Sequence, residues 1–79
     1  MKKILIHAPK NIATRLEDKL HHRFDVDVEI DDSNICRIEA KKKNKWIIIC
    51  RFESSENIKD ILTMFEVKYE IKMRSNFTE

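Results

Sequence analysis

The chain has 79 residues, 16 basic and 14 acidic, for a net charge of +2. That length holds one domain. Two cysteines make no disulfide framework, and the near balance of charge lacks the basic excess of a dedicated nucleic-acid binder. Glycine is absent altogether, which excludes the standard forms of the Walker loop, the dinucleotide fingerprint, the nucleophile elbow and the GXXG clamp.

The first apolar run, Ile4-Leu5-Ile6, stops at His7. A signal peptide needs roughly 7–15 apolar residues and a membrane span about 20. The expectation is a cytoplasmic chain with reduced thiols and no membrane partner.

Lys3–Ala8 reads as the first strand. Pro9 suits the start of a helix, where its missing N–H costs nothing. Ile12, Leu16 and Leu20 recur every fourth residue and predict a helix over 9–23. Asp25–Asp31 alternates: Val26, Val28 and Ile30 face one way, and Asp25, Asp27 and Glu29 the other. A polar turn at 31–34 leads to a strand over 35–41, with Cys36, Ile38 and Ala40 inward. Lys42–Asn44 is the next turn. A strand over 45–52 is apolar on both faces. Its alternation sets Trp46, Ile48 and Cys50 on the inner side and Ile47 and Ile49 on the other.

These registers fit a three-stranded meander. Ile30 opposite Cys36 puts Glu29 against Arg37 and Asp25 against Lys41. Cys36 opposite Cys50 puts Ile38 against Ile48 and Ala40 against Trp46. Pleat parity is kept throughout. Ser54 or Ser55 is the candidate N-cap of a second helix, with a stripe of Ile58, Ile61, Leu62 and Phe65. Val67–Met73 alternates as a last strand, with Val67, Tyr69 and Ile71 inward, and residues 74–79 form a polar tail.

The expected fold is α+β: a two-layer sandwich in β-α-β-β-β-α-β order, with a mainly antiparallel sheet and both helices on one face. It fills residues 1–73 as one domain. The inner α-β-β-β-α order is similar to that of double-stranded-RNA-binding domains. Their Lys-rich entry to the second helix is replaced here by Ser54-Ser55-Glu56-Asn57, so membership is not inferred.

Cys36 and Cys50 with His7, His21 and His22 lack the paired spacing of zinc ligands. Cys36 and Cys50 are read as facing each other in the core as small hydrophobes, with no metal or cofactor expected. A cysteine nucleophile would need an exposed thiolate, whereas Cys50 is expected beneath the helices. The acidic series Asp25, Asp27, Glu29, Asp31, Asp32 lacks the glycine and spacing of a calcium loop and reads as a solvated strand face.

Leu5, Ile47 and Ile49 are expected on the sheet face away from the helices. Either long neighbouring side chains cover them, or they form an apolar stripe for a partner. With Arg37 they are the candidate protein-binding residues. The leading expectation is a non-catalytic binding module, of the type found among bacterial and phage regulators and inhibitors. It would dock on another protein or a second copy through the open sheet face. The alternative is an RNA- or DNA-binding domain whose projecting hairpin, Lys41, Lys42, Lys43 and Lys45, contacts phosphates.

Overall fold

The computed structural model describes residues 2–74. The order is β1 (Lys2–Ala8), α1 (Lys10–Leu20), β2 (Phe24–Ile30), β3 (Ile35–Lys42), β4 (Lys45–Glu53) and α2 (Ile58–Arg74). The fold is therefore α+β, a four-stranded mixed sheet with two helices. Of the expected polar tail, Arg74 belongs to α2 and residues 75–79 lie outside the described residues.

Two expectations about connectivity are corrected. The strand expected over Val67–Met73 is the second half of α2. Tyr69 fits both periods, but the buried series Ile58, Ile61, Phe65, Tyr69 steps by three or four, and neither glycine nor proline interrupts it. Val67 and Ile71, expected inward, are 55% and 61% exposed. The cap is also different. Asn57 Oδ1 accepts a hydrogen bond from the Lys59 N–H at 2.8 Å, so Asn57 rather than Ser54 or Ser55 satisfies the first turn.

The expected three-stranded meander is the second correction. The sheet order is β2-β1-β3-β4. β1 lies between β2 and β3, parallel to β2 and antiparallel to β3. Asp25 therefore sits opposite Lys3, and Glu29 opposite His7, rather than against Lys41 and Arg37. β1 takes the centre because Ile4, Ile6 and Ala8 are fully buried and need covered neighbours on both sides. The order shared with double-stranded-RNA-binding domains therefore does not extend to three consecutive paired strands.

Ile4, Ile6, Phe24, Cys36, Ile38, Ala40, Cys50 and Phe52 form one core with Ile12, Leu16 and Leu20 of α1 and Ile61, Phe65 and Tyr69 of α2. α1 packs on β1 and β2, α2 on β4 and β3, and the helices touch each other. One sheet face is thus covered by both helices, and the other carries the charged residues. Phe24 meets Phe65 and Tyr69 edge-on, with centroids 5.5 and 5.1 Å apart. These contacts tie the β2 edge to α2.

Turns without glycine leave a trace. Lys43, at the tip of the β3–β4 hairpin, has φ 56°, a conformation that costs a residue bearing a Cβ about 1–2 kcal/mol. Among the described residues, no helix is long and apolar enough to cross a membrane.

Candidate functional site

The open sheet face presents a gradient of chemistry. β2 contributes Asp25, Asp27 and Glu29. β1 contributes Lys3, Leu5 and His7, β3 Ile35, Arg37, Glu39 and Lys41, and β4 Trp46, Ile48, Arg51 and Glu53. The β2 end is acidic, and the β4 end is apolar and basic up to Glu53 at its last position.

At the centre, His7 is a buried polar residue. Its Nδ1 lies 3.1 Å from Glu29 Oε2, and its Nε2 lies 3.4 Å from Glu39 Oε1. The second oxygen of Glu39 is 3.2 Å from Arg37 Nε. Among the described residues His7 Nε2 and Arg37 Nε nevertheless have no aligned hydrogen-bond acceptor. They sit at ion-pair distance from Glu39 without the directionality of a hydrogen bond. The result is a chain of alternating groups, Glu29–His7–Glu39–Arg37, that holds the Arg37 side chain in place across the face.

The next position in that row is Arg51, directly opposite Arg37. Like charges facing each other across a strand pair destabilise it. Among the described residues Arg51 makes no ion pair. Its neighbour on the same face is Ile48. Residues three apart on a regular strand point to opposite sides. A β-bulge makes the difference here: Ile38 pairs with Cys50 and Glu39 with Ile48, leaving Ile49 as the extra residue.

The bulge also overturns the expected orientation of β4. Ile47 and Ile49, expected on the open face, are 8% and 2% exposed and belong to the core. Trp46 and Ile48, expected beneath the helices, are 38% and 40% exposed. Cys50 and Phe52 are inward, as alternation from the far end of the strand requires. Simple parity fails because one inserted residue reverses every side chain before it. The open-face apolar residues are therefore Trp46, Ile48, Ile35 and the half-buried Leu5. Leu5 lies between Asp27 and Glu39, and Arg37 is on the expected face. The sequence does carry a signal of the bulge. Trp46–Cys50 is five apolar residues in a row, more than an alternating strand with one wet face should hold.

The hairpin lysines diverge. The Lys41 ammonium stands 5.8 Å from the Trp46 ring centroid on the open face. Lys42 turns to the helix side, where its Nζ donates to the Lys72 carbonyl at 3.4 Å. Lys43 and Lys45 are exposed. Two other cations are engaged elsewhere: Lys3 pairs with Asp25 at 3.8 Å and Arg74 with Glu70 at 2.6 Å. Lys2 lies over the Tyr69 ring at 5.6 Å.

Both thiols are free and buried. Burial raises the Cys36 thiol above its ordinary value, and Asp31 pushes the same way. Burial also raises Cys50, with Lys68 pulling it down and Glu56 pushing it up. Tyr69 is raised by burial, against the pull of Arg23. The folded chain thus favours all three neutral forms, while the unfolded chain ionises first as pH rises. Folding stability should hold below the ordinary thiol value, about 8.5, and fall as pH climbs past it through the raised values. Urea midpoints measured from neutral to alkaline pH should show this fall, and a Cys36→Val/Cys50→Val double variant should show less of it. An equal fall in the variant would assign the alkaline sensitivity elsewhere. Among the described residues no group of three or more His, Cys, Asp and Glu side chains is arranged to hold a metal ion.

No protein-family model matches the chain, and no curated protein or solved structure matches it.

Proposed function

We propose that the chain is a non-catalytic, cytoplasmic binding module that docks on another protein through its open sheet face. The observation that carries this reading is the β4 end of that face. Trp46 and Ile48 stand exposed there beside Arg51, a guanidinium without an acidic partner among the described residues. Tryptophan and arginine are residue types enriched in binding hot spots, where truncation costs about 2 kcal/mol or more. The core does not need these side chains, since Ile47, Ile49 and Phe52 already fill the space under α2. A regulator or inhibitor would act in this way, by covering a partner's surface.

The test is affinity capture from the native host with the wild-type chain and with Ile48→Glu, with and without nuclease. The expected result is a protein retained after nuclease and lost on Ile48→Glu, with thermal unfolding little changed. Retention of that protein by Ile48→Glu would overturn the reading.

A second reading is nucleic-acid binding at the hairpin. One observation favours it: Trp46 is exposed with Lys41 above its ring, and an accessible aromatic beside lysines is a stacking platform for bases. It expects capture that nuclease abolishes and that Lys41→Glu/Lys45→Glu weakens. The acidic β2 half of the same face limits such a site to the β3–β4 end.

A further inference from the structure

Resting on the protein-docking reading, we propose that the β4 edge takes an extended, acidic segment of the partner, which adds as a strand beside β4. Among the described residues β4 ends the sheet order, and its outer edge faces no other strand. Such an edge offers backbone donors and acceptors to an added strand.

Apart from Glu53 at its end, the chemistry of this edge is one-sided. A groove of about 420 Å³ runs between β4 and α2, lined by Ile48, Ile49, Arg51, Lys68, Ile71 and Lys72. Half of these residues are aliphatic and half are basic, and none is acidic. Ile71, exposed on α2, and Ile48, exposed on β4, form the apolar walls. Arg51 already faces Arg37, so an incoming carboxylate would relieve a like-charge contact as well as form an ion pair. The bulge at Ile49 puts Ile48 and Arg51 on the same side of β4. An alternating segment keeps its carboxylates on one face: laid along β4 they would run past Ile48 to Arg51, while its aliphatic side chains turn to the helix side, toward Ile49 and Ile71.

The opposite edge of the sheet repels such a segment. β2 carries Asp25, Asp27 and Glu29, so charge directs an acidic strand to β4 and away from β2. β2 also shows that this kind of segment pairs well beside a cation. Its sequence Asp25-Val26-Asp27-Val28-Glu29 lies along β1 with Asp25 at 3.8 Å from Lys3.

The experiment uses the full chain and a labelled synthetic peptide of its own residues 24–32, which is acidic and alternating. Its control replaces every Asp and Glu with Lys. Anisotropy and amide-shift mapping should show that the acidic peptide binds and the lysine peptide does not. Shifts should fall on β4, Lys68 and Ile71, with binding weakened by salt. Arg51→Glu/Lys68→Glu, both exposed positions, should lose about tenfold or more in affinity while the fold is kept.

Equal binding of the two peptides, shifts confined to β2, or unchanged affinity in the double variant would overturn the proposal. So would an RNA oligonucleotide that binds at Arg51 and Lys68 when the peptide does not. A rise in sedimenting mass with concentration, lost in the double variant, would assign the edge to a second copy of the chain and overturn it equally. The two readings fail separately. A host protein lost on Ile48→Glu but fully retained by Arg51→Glu/Lys68→Glu leaves docking standing and removes the acidic strand.

Discussion

Phe65→Ala should displace the unfolding transition by about 3–5 kcal/mol. Phe65 is fully buried, with its ring 5.5 Å from both Phe24 and Tyr69. Removing a buried phenylalanine side chain costs about 3–5 kcal/mol, from lost transfer energy and the cavity left behind. A chain of 79 residues has a total stability of roughly 4–12 kcal/mol at 0.05–0.15 kcal/mol per residue. The loss therefore removes from about a quarter to all of that stability. The cavity would also lie where the β2 edge meets α2, at the junction of three rings. Far-ultraviolet circular dichroism and urea unfolding measure the outcome. A cooperative transition displaced by less than about 1 kcal/mol would mean that Phe65 does not anchor the core.

Ile49→Glu should unfold the chain, whereas Ile48→Glu should leave it folded. The two residues are adjacent on β4, yet one is 2% exposed and the other 40%. A carboxylate at Ile49 would lose the packing of a buried isoleucine and strand a charge under α2. Together these exceed about 4 kcal/mol. At Ile48 the side chain already meets solvent beside Arg51, and the change should stay within about 1 kcal/mol. Chemical unfolding of both variants decides between the bulged strand and a regular one. A regular β4 with Cys50 inward predicts the reverse ranking, since Ile48 would then lie beneath the helices.

The helix stripes and alternating strands were legible because their signals are local. Ile12, Leu16 and Leu20 are spaced for one helix face, and all are buried. Cys36, Ile38 and Ala40 alternate and are buried too. The element over 67–73 misled because Val67, Tyr69 and Ile71 satisfy a period of two while Phe65, Tyr69 and Met73 satisfy a period near four. Short windows cannot separate the two, and only the covering sheet does. At the candidate site, Arg37 was visible on its strand. The exposed Trp46 and Ile48, and the row from Glu29 through His7 to Arg51, were not.

By itself the sequence determined an α+β chain, its two apolar helix stripes and the inward series of β3. These follow from side-chain spacing along a single element, which the pleat and the helical turn impose wherever that element sits. Only the tertiary structure decided that β1 separates β2 from β3, which carboxylates flank His7, and which isoleucines of β4 reach solvent. Those depend on contacts between residues distant in the chain. One inserted residue at Ile49 is enough to exchange the buried and exposed sides of the segment before it.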